Sequence, residues 1–246
     1  MKKLTVVIPA YNEARFIGAL LSRIAQVPLE SAGFQREVIV VDDGSTDDTA
    51  RIVKGFPQVK LIQQANQGKG AAVQRGIREA TGDFVLVQDA DLEYDPDDYP
   101  VLLRGLGDQE RVAAYGSRPL GVIRAAGWRL PFPGKHPKQG LGPWGMNLIL
   151  ACLAFALCGS WISDNLTGYK LYPLAELRRL RIRTRGFETN HELTIKLLRL
   201  GVKIVEVPIR YTPRSKAEGK KIRASDAPKA IWTMIRFRWG WRTDLT

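Results

Sequence analysis

Short β-branched runs that stop at carboxylates are what most limits how this chain can fold. Leu4–Pro9, Glu37–Val41, Val59–Gln63 and Asp83–Gln88 are apolar segments of strand length, and helical spacing fills the gaps between them. Asn12 is placed to cap a helix through about Val27, with Phe16, Ile17, Leu20, Leu21 and Ile24 on one face. Ser45 or Thr46 can cap a second helix through Lys54. Lys69–Ala80 reads as a third helix, stopped by Thr81-Gly82, and Asp97–Leu106 as a fourth. Val112–Tyr115 and Val202–Ile209 add strands. Strands alternating with helices make βαβ units, so the pattern predicts an α/β fold: a mostly parallel central sheet with helices on both faces. Ligands of such sheets bind beyond the carboxyl ends of the strands.

That edge is acidic. Asp42-Asp43 follows the second run, Asp89-Ala90-Asp91 follows the fourth, and Glu13 lies just past the first. Carboxylates ending apolar strands are costly unless they meet water, a cation or a hydrogen-bonding ligand. A hard divalent cation with diphosphate oxygens would neutralise the Asp89/Asp91 pair. Gln67-Gly68-Lys69-Gly70 opens the third helix with backbone N–H groups and a lysine. This suits an anion, although a plain glycine turn explains it too, and the spacing excludes a Walker-type phosphate loop.

Other features bear on partners and compartment. With 246 residues, 45% of them apolar, the chain can bury a proper core, which excludes wholesale disorder. Residues 1–169 carry 18 Lys+Arg and 18 Asp+Glu, and residues 170–246 carry 19 and 7, so the whole excess of +12 sits in the last third. That end is expected to face something anionic, or to serve as a solvated basic surface. Cys152 and Cys158 read as small buried residues of a reducing compartment. Lys2-Lys3 leads into an apolar run too short for a signal peptide, consistent with a cytoplasmic protein. The Gly/Pro-rich residues 119–145 read as a long loop. No charge occurs from Gln139 to Ser163. The apolar centre, Met146 to Cys158, is short for a span and reads as a buried or interfacial helix, with a short inserted hairpin as the alternative. A helix from about Pro228 carries Trp232, Trp239 and Trp241 among Arg236, Arg238 and Arg242. It suits a membrane interface as well as it suits a terminal helix packed on the core.

Val6-Val7-Ile8-Pro9-Ala10-Tyr11-Asn12-Glu13, Val41-Asp42-Asp43-Gly44-Ser45-Thr46-Asp47 and Asp89-Ala90-Asp91 together resemble the family 2 glycosyltransferases of the GT-A (nucleotide-diphospho-sugar transferase) fold. Gly116-Ser117-Arg118, Asp164 with Thr167-Gly168-Tyr169-Lys170, and Glu206-Val207-Pro208-Ile209 with Arg214 and Glu218-Gly219-Lys220-Lys221-Ile222 resemble the dolichyl-phosphate mannosyltransferase-like branch. That branch passes a sugar to a polyprenyl phosphate. Residues 119–163 match poorly. The resemblance implies a catalytic domain over residues 1–223, with 119–163 mobile or facing a membrane, and a basic, aromatic-rich helix over 224–246. It implies that Pro9, Tyr11 and Glu13 frame the nucleotide, with Val41 and Asp43 at its base and Lys69 nearby. Asp89 and Asp91 would hold Mg2+ or Mn2+, with Ala90 lining the site and Glu93, where relatives often have Gln, as a further ligand. Arg118 would face the diphosphate, and Arg214 and Lys220 the acceptor phosphate. Asp91, Arg118, Arg214 and Lys220 are thus the expected catalytic set.

The reaction so implied is an inverting displacement. An acceptor phosphate, largely dianionic at neutral pH, needs no protein base, and neither His136 nor His191 is given a role. A hydroxyl acceptor would need one, with Asp164 or Glu192 as candidates. The expected partners are a nucleotide sugar, a polyprenyl phosphate, an anionic membrane surface and a membrane-protein partner. Two rivals stand beside this reading: a transferase with a soluble acceptor, and a non-catalytic basic module that binds membrane or nucleic acid. The acidic rim argues against nucleic acid, whose phosphates it would repel.

Overall fold

The computed structural model describes residues 1–107, 109, 111–126, 134–136, 140–213 and 226–239. Arg214 and Lys220 lie outside the described residues, as do Glu218-Gly219-Lys220-Lys221-Ile222, Trp241 and Arg242. Seven strands form one sheet: β1 (Lys2–Ala10), β2 (Phe34–Asp42), β3 (Val59–Gln63), β4 (Phe84–Val87), β5 (Val112–Ser117), β6 (Lys170–Pro173) and β7 (Lys203–Pro208). Their order is β3-β2-β1-β4-β6-β5-β7, and every pairing is parallel except those of β6 with β4 and β5. The expected mostly parallel α/β sheet is present.

Period-two alternation sorts the strand side chains between two cores. Leu4, Val6 and Ile8 of β1 and Phe84 and Leu86 of β4 join the apolar stripes of α1 (Ile17–Gln26) and α4 (Tyr99–Leu106). Val7, Val85 and Val87 turn to the other face, against α3 (Lys69–Glu79), α7 (Leu174–Arg178) and α8 (Thr189–Arg199). Runs apolar on both sides of the pleat are what a sheet covered twice requires. A third cluster joins Leu150 and Ala154 of α6 (Leu141–Cys158), Ile195 of α8, and Ala230, Met234 and Phe237 of α9 (Asp226–Trp239).

Several local expectations are corrected. Asn12 does not cap α1. It sits at φ 53°, and its Oδ1 accepts from Thr46 N at 2.8 Å, so the chain turns before the helix begins at Ile17. For the same reason α2 (Thr49–Lys54) starts later than Ser45 or Thr46, whose N–H groups go to Asp42 and Asn12. Residues 119–145 are not one long loop: α5 (Arg118–Ala126) follows β5 directly, and α6 starts at Leu141 despite its glycines and Pro143. Proline is tolerated there because it falls in the first turn, where its missing N–H has no intrahelical partner to lose. Cys152 is exposed and Cys158 half-buried, not the buried pair expected.

β6 escaped the sequence reading because it is four residues long and opens with a lysine. Lys170 is fully buried, its Nζ 3.3 Å from Thr194 Oγ1, 3.5 Å from the Asn165 carbonyl and 4.5 Å from the Tyr115 ring centroid. Burial pushes its amine down to about 7, against the pull of Asp164.

Two expectations follow. α3 crosses β1 at Gly76, where an added Cβ would lie 2.2 Å from Val7 Cγ1. Gly76→Ala should therefore destabilise the fold by about 1–3 kcal/mol in urea unfolding. For Lys170, the unfolded chain keeps the proton up to its ordinary value of 10.5 while the folded chain gives it up near 7. Stability should thus gain from this group as pH rises from about 7 toward 9, by at most about 1.4 kcal/mol per pH unit. Unfolding titrations of Lys170→Met should lack that component.

Candidate active site

The first wall of the rim is the carboxyl end of β1 and β2. Register pairs Pro9 with Val41 and Ala10 with Asp42, and Asp43 N donates to the Ala10 carbonyl at 2.8 Å. Asp43 is buried and its oxygens accept from Gln64 Nε2 at 2.7 Å, Gln67 N at 2.9 Å and Gly68 N at 2.8 Å. The N–H groups of Gln67 and Gly68, which the sequence left open between a ligand anion and a plain turn, are therefore taken by Asp43. Glu13 is buried, with its N–H on Thr49 Oγ1 at 2.9 Å, and Tyr11 is exposed at the mouth. Val41 and Ala90 are buried within the two cores.

The second wall is the loop after β4. Gln88, fully buried, spans it: Nε2 donates to the Asp89 carbonyl at 3.0 Å and Oε1 accepts from Tyr99 OH at 3.1 Å. Glu93 N donates to Asp91 Oδ1 at 3.1 Å, and Leu92 between them sits at φ 58°. Leu92 and Asn12 are the non-glycine residues of positive φ among those described, and both flank the acidic rim. Local strain held by surrounding structure is a frequent mark of functional loops. Asp89 Oδ1 lies 2.5 Å from Lys69 Nζ, and an added Cβ on Gly168 would come within 2.7 Å of Asp89 Oδ2.

Among the described residues, no group of three or more His, Cys, Asp or Glu side chains could hold a metal ion. Glu93, expected beside Asp89 and Asp91, accepts from Tyr211 OH through Oε2 at 2.9 Å, and its carbonyl accepts from Thr212 N at 3.0 Å. The three-carboxylate set is thus not assembled, because Glu93 is turned toward the segment after β7. The donors at the loop tip are the Asp89/Asp91 pair. Their hard oxygens suit Mg2+ or Mn2+ completed by non-protein oxygens, and the ammonium already seated on Asp89 shows that this carboxylate accepts a cation.

The third wall joins residues that the sequence named without pairing them. Arg118, at the end of β5, forks onto Asp164: Nε to Oδ2 and Nη2 to Oδ1 are both 2.7 Å, and Arg118 N reaches Oδ2 at 3.1 Å. Asp164 is fully buried. Burial opposes the charge on Arg118, but the adjacent Asp164 carboxylate overcomes it and holds the guanidinium well above its ordinary value. Glu206 of β7 braces the loop, accepting from Ser163 N, Ser163 Oγ and Asp164 N at 2.7–2.9 Å. Burial pushes Glu206 up from the usual carboxylate range. The guanidinium of Arg118 lies 5.0 Å from the Tyr211 ring centroid, and Tyr211 packs on Tyr94, which stacks on Tyr169. Tyr94 OH also accepts from Gly168 N at 3.0 Å.

Neither candidate base is placed to act. Asp164 is committed to Arg118, and the fully buried Glu192 pairs with the fully buried Lys196 at 2.5 Å and accepts from Arg183 N and Thr184 N. His191 is buried, and burial with nearby Lys170 lowers it to about 3, leaving it neutral. The His136 ring stands edge-on to Tyr211, 5.9 Å between centroids.

Comparison with known proteins places this arrangement. The dolichol-phosphate mannosyltransferase of Pyrococcus furiosus is 30% identical over 222 residues, 89% of this chain and 59% of that protein. The undecaprenyl-phosphate 4-deoxy-4-formamido-L-arabinose transferase of Klebsiella pneumoniae is 36% identical over 109 residues, 42% of this chain and 33% of that protein. The chain therefore spans between a third and three fifths of these curated relatives. The structure of glucosyl-3-phosphoglycerate synthase from Mycobacterium tuberculosis, in complex with Mn2+, uridine diphosphate and phosphoglyceric acid, superposes with a TM-score of 0.70 at 22% identity, over 97% of this chain and 79% of that one. That likeness is one of fold, the GT-A fold. The family model Glycosyl transferase family 2 matches residues 5–151, more than half of the sequence, and the chain belongs to that family.

Proposed function

We propose that this chain transfers a hexose, with inversion, from a GDP-mannose- or UDP-glucose-type donor to the phosphate of a polyprenol. The observation that carries this reading is the burial of both candidate bases, Asp164 and Glu192, in ion pairs that leave neither placed to act. A phosphate acceptor needs neither, since its own oxygen is already ionised. The names of the curated relatives, both acting on polyprenyl phosphates, support the same acceptor.

In this reading Asp89 and Asp91 would hold Mg2+ or Mn2+, which would supply Lewis-acid stabilisation of negative charge on the diphosphate. Asp43, fixed by three donors, forms the floor of the nucleotide site beside Pro9, Val41, Tyr11 and Glu13. Arg118 gives its Nε–Nη2 edge to Asp164 and would reach the diphosphate through Nη1. Arg214 and Lys220 would draw in the acceptor phosphate by charge-assisted hydrogen bonds. Their segment starts from a clamped base: Arg210 bonds Asp98, and Tyr211 bonds Glu93.

The acceptor's lipid calls for a membrane, and the helical flank fits one. α6 is long and apolar enough, by length and composition, to cross a bilayer. Its inner face is nevertheless built into the fold, with Asn147 donating to the Ser163 carbonyl and accepting from Asn165 N at 2.9 Å. Its outer face exposes Leu148, Ile149 (52%) and Phe155 (56%) where a solvent-facing helix would be polar. On α9, packed against α6, the exposed residues Lys229, Trp232, Arg236 and Trp239 alternate cation with indole. Such a surface lies in the plane of a leaflet rather than across it. The enzyme is thus read as peripheral on the cytoplasmic face, with a membrane-protein partner as a further means of attachment.

A soluble acceptor is the second reading, suggested by the phosphoglyceric acid bound to the Mycobacterium tuberculosis protein. The exposed apolar face weighs against it.

Transfer assays with a panel of GDP- and UDP-sugars and a short polyprenyl phosphate decide between the two readings. Donor turnover indifferent to the lipid phosphate would refute the first. Asp91→Asn should lower transfer by about 100- to 1000-fold, and a variant with unchanged turnover would remove the carboxylate pair from the reaction. In flotation with anionic vesicles, the double substitution Ile149→Glu and Phe155→Glu should abolish binding. Undiminished flotation would show that the α6 face is not the membrane contact.

A further inference from the structure

Lys69 is held where two different cations would compete. Its backbone is fixed from both sides: the preceding N–H groups of Gln67 and Gly68 are bonded to Asp43, and Gly70 has no room for a Cβ, which would lie 2.0 Å from Thr189 Oγ1. Gly68 is held at φ 98°, with its own Cβ position 2.7 Å from the Arg185 carbonyl. The side chain places Nζ 2.5 Å from Asp89 Oδ1 and 5.4 Å from the Phe187 ring centroid. Both partners are about four-fifths withdrawn from water, with side-chain exposures of 21% and 18%. On the far side, Gly168 leaves the carboxylate room: a Cβ there would lie 2.7 Å from Asp89 Oδ2.

We infer that Lys69 is an internal counter-ion that occupies Asp89 until metal and nucleotide arrive together, and that its displacement links the binding of the two. This rests on the reading of Asp89 and Asp91 as the metal-holding pair. A divalent cation binding alone must displace the ammonium and leave it without its carboxylate, so its affinity is reduced. A nucleoside diphosphate arriving with the metal supplies a new anionic partner for the displaced ammonium. The cost of displacement is then offset only when both ligands are present, and linkage makes the effect reciprocal. Lys69 acts here as a positioning residue, through Asp89.

The test is direct Mn2+ binding to the full chain, read from the electron paramagnetic resonance of free Mn2+, without nucleotide and with UDP or GDP in turn. Lys69→Met and Lys69→Gln should bind Mn2+ alone about 5-fold or more tightly than the unaltered chain, and the enhancement of Mn2+ binding by the nucleotide should shrink by a similar factor. Lys69→Arg should retain the unaltered pattern. If Mn2+ binds to the unaltered chain and is lost in Asp89→Asn, but both neutral Lys69 variants bind it no more tightly, the carboxylate-pair reading stands and the counter-ion inference fails. If the unaltered chain binds no Mn2+ with either nucleotide, both fall together.

Discussion

A guanidinium forked onto a fully buried carboxylate holds the carboxyl edge of this sheet together. Arg118 comes from the end of β5 and Asp164 from the loop before β6, and that loop is carried by Glu206 of β7 and Asn147 of α6. Removing either charge would leave the other buried without its partner, a far larger penalty than losing an exposed pair. The same guanidinium lies on Tyr211, whose hydroxyl holds Glu93 beside the Asp89/Asp91 tip. One ion pair thereby sets the acidic loop, the segment leading toward Arg214 and Lys220, and the inner face of α6 in a common frame.

Much of the frame was legible because its physics is local. β-branched runs announced six strands, and carboxylates following apolar runs announced the rim, since a buried strand has no reason to end in acid unless the acid is used. β6 was hidden by its brevity and by Lys170, a residue that strands normally exclude from a core. α5 and the start of α6 were hidden by glycines and prolines that a helix tolerates when its other face is packed or when proline falls in its first turn.

The pairings inside the site were illegible for a different reason. Arg118 and Asp164 are 46 positions apart, and Tyr211 and Glu93 are 118 apart. No periodicity links residues across such distances; only the sheet order brings them together. Glu93 is the clearest case. The family resemblance sets it beside Asp89 and Asp91, yet the hydroxyl of a tyrosine after β7 claims it. The Gln67–Gly70 turn is another: the sequence left its N–H groups open between an anion and a plain turn, and the fold gives those of Gln67 and Gly68 to Asp43.

The position of β6 has a consequence for synthesis from the amino terminus. β1 to β4 neighbour one another in the sheet, so this half can pair without any later strand. β5 gains its neighbours only from β6 and β7, so it must wait for more than fifty further residues before either of its edges is paired. The half carrying Asp43, Asp89 and Asp91 can therefore mature first. The half carrying Arg118 is complete only once antiparallel β6 lies between β4 and β5 and β7 covers the other edge of β5. Until then β4 and β5 expose open edges during translation, the state in which a chain of this topology is most prone to misassociate.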